Sequence, residues 1–517
     1  MAHIARHLAR RLRDTDAFAA LVRACRTGAS VDVREAFGGA HPFVVSALWR
    51  ELGGCMFAWT ATADAADRFA SDCAFYLEDE GSPVRVLRPR DDEPYALANP
   101  AERSARLETL AALAAGAPGI YCISQAAMRQ PLWDPDAFRA ATVSLRVGDE
   151  SEWEALLGSL VELGYERVDV VDAVGEFAVR GGIIDIFAST AQAPVRLEFF
   201  GDRIESMRTF ALHDQRSTGA VDALAIAPWR DDASESGRCA LDYVERSLVV
   251  VDDPAAIGAI EEALSRERDD ATVLAADLDD ADGERSRPTA TGERSSPTAI
   301  GERSRFISTG RAKLGTVEES SRPQPIAFDK IVALTAAHPV VSFATTLGDV
   351  RITRAADTYV VIASQPAPAF GRSMDEFAKD VLRRSGAGET VAVVSVAHRR
   401  VREVLAEHDI SLSPVPAEAA SNEKHGAVIV VEGTLDAGFE LLRLGVVVLG
   451  DFELFGHAAR RHKLRAAKEG VPLTEADLKV GEFFVHANHG IGQYLGLENI
   501  TIDAFDRDFV MLKYLGE

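Results

Sequence analysis

A helix predicted to start near Pro42 follows the run Phe37-Gly-Gly-Ala-His41. A glycine turn feeding a helix is where backbone amides and the helix dipole can hold a phosphate. The loop that does so in ATPases reads GxxxxGK[ST], with the lysine on the phosphates and the hydroxyl on magnesium. Neither residue follows here. Lysine is absent from Met1 through Leu163, and no Gly-Lys-Ser or Gly-Lys-Thr stands anywhere in the chain. ATP hydrolysis by this chain is therefore not expected. Asp451 and Glu453 come just after a predicted strand, Val446–Leu449, where ATPases place magnesium-binding acids. Without the phosphate loop they are read as surface or capping acids. The pairs His486/His489 and His457/His462 lack a convincing third ligand, so turn and surface roles are expected rather than a metal. Cys25, Cys55, Cys73, Cys122 and Cys239 form no CxxC pair, which removes zinc-site and redox-motif spacing and leaves buried free thiols in a reducing compartment. No spacing singles out a Ser/His/Asp or Cys/His set.

The informative side chains are cationic. Arg167, Arg180 and Arg196 fall on three predicted strands. On the strand 176–180, period-two alternation sends Phe177 and Val179 to one face and Glu176, Ala178 and Arg180 to the other. Arginines on a sheet face can take a partner's carboxylates bidentately. The alternative is pairing within the domain, to Asp169, Asp185 or Glu198.

The chain that must position them has 517 residues, a hydrophobic fraction of 47% and a formal net charge of −24. Three to four domains are expected at that length. So acidic a body repels a phosphate backbone on average, and nucleic-acid binding would need a local basic patch. No apolar run is long enough to span a membrane, and the charged start, Met1 to Arg13, argues for a cytoplasmic protein without a secretory signal.

Residues 1–136 alternate helix and strand: helix Pro42–Leu52, strand Cys55–Thr60, helix Ala63–Leu77, strand Pro83–Leu87, helix Ala101–Ala115, strand Gly119–Ile123. Such alternation implies a parallel sheet covered on both faces. Residues 137–217 switch period. A helix, Glu152–Leu163, precedes two hairpins that turn at Gly181-Gly182 and Gly201-Asp202, which makes a small α+β domain on an antiparallel sheet. Residues 218–334 return in part to the first domain through Leu248–Val251. They also hold an insertion, 277–325, whose nine-residue repeat begins GERSRPTAT at Gly283; its polar, proline-bearing composition predicts disorder. Residues 335–456 form a second, compact α/β domain. The stretch 457–477 carries a basic helix, HAARRHKLRAAK, read as a solvated linker, with contact to nucleic acid or an acidic partner as the alternative. Residues 478–517 show four short strands, with turns at Asn488-His-Gly490 and Asp506-Arg-Asp508, which suggests a small β-barrel that stops at a strand end.

GYERVDVVDAVGEFAVRGGIIDIF (Gly164 to Phe187), PVRLEFFGDRIESMRTF (Pro194 to Phe210) and Gln215-Arg-Ser217 resemble the domain shared by UvrB and the transcription-repair coupling factors (the Mfd family). VGEFFVHANHGIGQYLGLENI (Val480 to Ile500) and the DFVMLKYLGE after it look like the RNA-polymerase-interacting domain of the coupling factors. UvrB carries an intact phosphate loop, which this chain lacks, so the resemblance favours the coupling factors; a UvrB-like damage-recognition protein is the alternative. Against that alternative, no aromatic hairpin like the one with which UvrB grips DNA is found. The resemblance implies a degenerate UvrB-like α/β domain with an inserted UvrA-binding α+β domain. It further implies UvrA contacts at Arg167, Arg180, Arg196 and Phe187. RNA polymerase β-subunit contacts are implied at His486, His489, Gly490, Ile491, Tyr494, Leu512, Lys513 and Tyr514. ATP and magnesium belong to the family's motor, which also makes most of its contact with DNA. The helicase motifs of that motor are absent from these residues, and the chain is expected to be a truncated piece without a cofactor or a catalytic residue of its own.

Overall fold

The computed structural model describes residues 2–81, 83–90, 100–230, 237–266, 325–343, 355–413 and 426–456, and the backbone of 483–486, 490–502 and 505–514. A parallel sheet organises the first of these. Its strands run in the order Thr358–Val361, Val31–Arg34, Val340–Phe343, Leu248–Val251, Cys55–Thr60, Gly119–Ser124 and Val84–Leu87. Both faces are covered, so the central strand Leu248–Val251 is apolar at every position and its neighbour Cys55–Thr60 at all but the last. Met56 and Ala58 enter one core with Ile120, Cys122 and Val250; Phe57 and Trp59 enter the other with Tyr121, Ile123 and Val249. Helices Asp16–Thr27 and Ala63–Tyr76 pack on the first of these faces. Thr15 and Thr62 cap them by accepting from the Phe18 and Ala65 amides.

Two strands that the sequence places in the second α/β domain belong to this sheet. Val340–Phe343 and Thr358–Val361 flank Val31–Arg34 in parallel register, Val31 opposite both Val341 and Thr358. The second sheet therefore begins later, in the order Ser364–Pro366, Phe439–Leu441, Val446–Leu449, Thr390–Val394, Val428–Val431, with the last three parallel. Nor does it stand apart. Ala392, Val394, Ile429, Val431, Phe439 and Val448 share one continuous core with the helices on the first sheet. The N-terminal helix Ala2–Arg13 seals the seam. Ile4, Leu8 and Leu12 are buried there, and Arg11 donates to Thr390 Oγ1 at 2.6 Å and to the Leu444 carbonyl at 2.5 Å.

The inserted sheet has the order Ser217–Ala220, Arg203–Phe210, Val195–Phe200, Ile183–Ile186, Glu176–Arg180, Glu166–Arg167, antiparallel except for its last pair, which is parallel. Both expected hairpins form, with Gly181 and Gly201 at φ of 60° and 62° in the turns. The strand expected at Arg167 is short, Glu166–Arg167, and residues 168–174 are a loop laid over one face. The other face packs on helix Trp153–Glu162 and on a ribbon that pairs Val143–Arg146 with Ala223–Ile226. That ribbon carries the domain past Ser217, the limit read from sequence. The repeat insertion and the basic stretch 457–477 lie outside the described residues.

At the C-terminal end, three antiparallel strands replace the four expected: Phe483–His486, Gly490–Ile502 and Phe505–Tyr514. Leu497 and Asn499 share one long strand with a bulge at Tyr494/Gly496, and Asp506 to Asp508 lie inside a strand rather than at a turn. All five cysteines are free and four are buried, Cys55 being half-exposed; burial pushes the Cys25 and Cys239 thiols up to about 12.

Candidate partner-binding site

The turn that resembles a phosphate loop is filled by the chain itself. Gly38 and Gly39 follow the strand Val31–Arg34, and His41 lies in the first turn of helix Ala40–Leu52. His41 Nδ1 meets Asp252 Oδ1 at 2.8 Å, its Nε2 meets the Ala36 carbonyl at 3.0 Å, and its ring stacks on Phe343 at 4.3 Å. A β-carbon built on Gly39 would lie 2.0 Å from the Ala437 carbonyl oxygen, so the second sheet's loop abuts the turn. The adjoining cavity, of about 210 Å³, is lined by Asp72, Asp252, Asp253 and Asp436 against one arginine, Arg68. Such a lining does not suit a triphosphate, which needs cations and free amides. Asp451 and Glu453 are buried caps rather than surface groups. Asp451 accepts from Ser395 Oγ and the Val396 amide, and Glu453 from the Gly438 and Gly450 amides at 2.9 and 2.8 Å.

The arginines of the inserted sheet separate into different roles. Register puts Ala178 opposite Asp185 and Asp185 opposite Arg196, so these share a face, and Arg180 stands on that face opposite Ile183. Arg196 is held inside the domain. Its Nε and Nη2 donate to the two Asp185 oxygens at 2.7 and 2.8 Å, and its guanidinium lies 5.0 Å from the Phe210 ring centroid. The hydrogen bonds it donates to Asp185 hold the arginine's pKa above its ordinary value, so its charge is fixed and matched. Arg180 is exposed and donates to the Asp169 carbonyl at 3.0 Å, and no carboxylate among the described residues neutralises its charge. Arg167 is exposed, has no ion pair among the described residues, and pairs in register with Phe177, which sends it to the opposite parity at the sheet's edge. The three arginines therefore do not form one row. Phe187 is 2% exposed and packs with Val171, Ala178 and Phe210, so it is buried on this face under the 168–174 loop and offers no surface to a partner.

Two residues outside the expected contact set also shape this face. Gln215, at a φ of 58°, donates from Nε2 to the Val171 and Leu212 carbonyls at 3.3 and 3.0 Å and so pins the 168–174 loop onto the sheet. Phe200 ends its strand on the Arg196 parity and is 76% exposed. The signal for it was the second phenylalanine of Phe199-Phe200-Gly201, since alternation can bury only one of the two. In the C-terminal meander the backbone sets His486 opposite Gly490, Ile491 opposite Val485, Tyr494 opposite Leu512, Lys513 opposite Gln493 and Tyr514 opposite Gly492. His489 lies outside the described residues.

The site the fold defines is thus a partly covered sheet face with an exposed arginine, set into a parallel α/β body. Two family models match parts of the chain. Residues 143–231 match the UvrB interaction domain, and residues 478–517 match the CarD-like/TRCF RID domain. The first begins and ends with the ribbon that closes the inserted sheet. Over most of its length the chain is homologous to the transcription-repair-coupling factors. It is 28% identical to that of Bacillus subtilis (strain 168) over 540 residues, covering 98% of this chain and 45% of the relative. It is 25% identical to that of Staphylococcus aureus (strain MSSA476), covering 87% of this chain and 40% of the relative. The chain thus spans less than half the length of the curated relatives it matches.

Proposed function

We propose that this chain works in transcription-coupled excision repair as a docking protein. Its inserted domain binds UvrA, and its C-terminal meander, read as part of a small barrel, binds the β subunit of RNA polymerase in the cytoplasm. The observation that carries the reading is the coincidence of the UvrB interaction domain with a sheet that leaves Arg167 and Arg180 exposed and free of acid partners among the described residues. Arg180 presents a fork of donors suited to carboxylates of a protein partner. Arg196, neutralised by Asp185, holds the sheet in shape for that contact. The RID match supports the polymerase half of the reading. These residues are assigned no part in nucleotide hydrolysis, because the cavity beside Gly39 offers carboxylates where phosphates need cations; contact with DNA and the use of ATP and magnesium are left to a motor.

Purified UvrA titrated against the chain and against the Arg167→Glu/Arg180→Glu variant tests the first half. The variant should bind at least about tenfold more weakly, given what truncating central arginines costs at interfaces. Its thermal unfolding should be unchanged, because both side chains are exposed. Equal affinity for UvrA would remove the two arginines from the site.

A further inference from the structure

We infer that Phe200, at the tip of the second hairpin, is the apolar anchor of the surface that Arg180 marks, and that it seats in a pocket on UvrA. This rests on the UvrA reading above. Four observations carry it. Among the described residues Phe200 is the most exposed of the large hydrophobic side chains, at 76%, although its strand neighbour Phe199 is half-buried and packs edge-on to Trp153 at 5.1 Å. The two hairpin tips lie side by side, since the Phe199 amide donates to the Gly182 carbonyl at 2.8 Å and Gly182 directly follows the Arg180-Gly181 turn. Register runs Arg180 opposite Ile183 and Ile183 opposite Glu198, which puts Arg180, Ile183, Glu198 and Phe200 on one face. The loop pinned by Gln215 covers the far end of that face with Val171, Phe187 and Phe210, and the tip end carries no such cover among the described residues.

An exposed aromatic beside an open guanidinium is the pairing from which interface hot spots are built: the ring supplies buried area and the arginine supplies direction. Charge indicates the class of partner. The face carries Glu176 and Glu198 as well as arginines, but Arg180 and Arg208 stand exposed on it without an ion pair among the described residues. Two copies of a chain at −24 repel each other, whereas a separate protein with an apolar pocket rimmed by carboxylates suits the open guanidinium beside the ring.

Binding of UvrA to the full chain is to be compared for Phe200→Ser, Phe200→Leu and Val161→Ser. Val161 is 54% exposed on the helix that packs against the opposite face, so its substitution controls for the loss of any surface apolar group. Phe200→Ser should weaken binding by about tenfold or more, Phe200→Leu should keep most of the affinity, and Val161→Ser should change nothing; melting temperatures should stay equal. Loss of binding on Arg167→Glu/Arg180→Glu with none on Phe200→Ser overturns the anchor and leaves the UvrA reading standing. A parent chain that fails to bind UvrA overturns both. A homodimer that dissociates on Phe200→Ser at unchanged UvrA affinity assigns the ring to self-association and overturns the anchor.

Discussion

The Arg196–Asp185 pair offers the sharpest test of how the inserted sheet is held. The Asp185 side chain is 4% exposed and that of Arg196 is 20% exposed, and their two hydrogen bonds are parallel and short. Replacing Arg196 with Met keeps most of the stem that crosses Phe210 but strands a buried carboxylate. Removing one partner of a buried pair costs roughly 3–5 kcal/mol; with the arginine a fifth exposed, the lower end applies, about 3 kcal/mol. Since each 1.4 kcal/mol is tenfold in an equilibrium constant, opening of this domain should become about a hundredfold more frequent. Amide hydrogen exchange in the intact chain reads this directly, at Ile184, Ile186, Val195 and Leu197, without requiring the whole molecule to unfold in one step. The double variant Asp185→Leu/Arg196→Met, which removes both charges, should recover most of the protection, because the two losses share one cause. A single variant that accelerates exchange by less than about threefold would refute the reasoning, as would a double variant no better protected than the single.

Two further outcomes follow from the geometry. Gly175 has a φ of +95°, and a β-carbon there would meet Trp229 Cε2 at 2.3 Å. Gly175→Ala should therefore lower stability by roughly 2–4 kcal/mol through backbone strain and overpacking together; a melting temperature equal to the parent's would contradict it. His338 is buried and accepts from the Ser247 amide at 3.3 Å, and burial holds its pKa below the ordinary 6.5. The unfolded chain then binds the extra proton first, so stability falls as pH drops below about 6.5 toward the folded value. His338→Asn should flatten that part of a stability-versus-pH curve, and an unaltered slope would place the titration elsewhere.

Much of this architecture was legible because it is local. The strands Cys55–Thr60 and Leu248–Val251 announce themselves by apolar runs that only double-sided burial explains, and the turn at Gly181-Gly182 fixes the register on either side of it. Val31–Arg34 and Thr358–Val361 were not legible. Each has only four residues, and what joins them is contact across the whole fold: the Ser30 amide donates to Asp357, 327 positions away. No local period encodes such a pairing. The site was legible in part. Asp185 was among the acids named as internal partners for the arginines, and it is the one that takes Arg196. That Arg167 falls on the other parity depends on a two-residue strand paired in parallel with Glu176–Arg180, which leaves no mark on hydropathy. The roles of Arg167 and Arg180 came from likeness to a known domain, because their exposure depends on which acids the fold brings near, and a sequence alone does not say.

The contact between Gly39 and Ala437 bears on any attempt to engineer nucleotide binding into this chain. Writing a lysine and a threonine into the Gly38–Pro42 turn would supply the missing side chains, but the neighbouring backbone would still occupy the approach, and the aspartates beside it would still repel a phosphate. A competent pocket would require the 436–438 connection to be rebuilt first, and that connection is stitched to the helix Ala63–Tyr76 by the Asp72 carboxylate, which accepts from the Asp436 amide at 3.0 Å. The glycine that looks like half of a nucleotide loop serves instead as a seat for another part of the same chain.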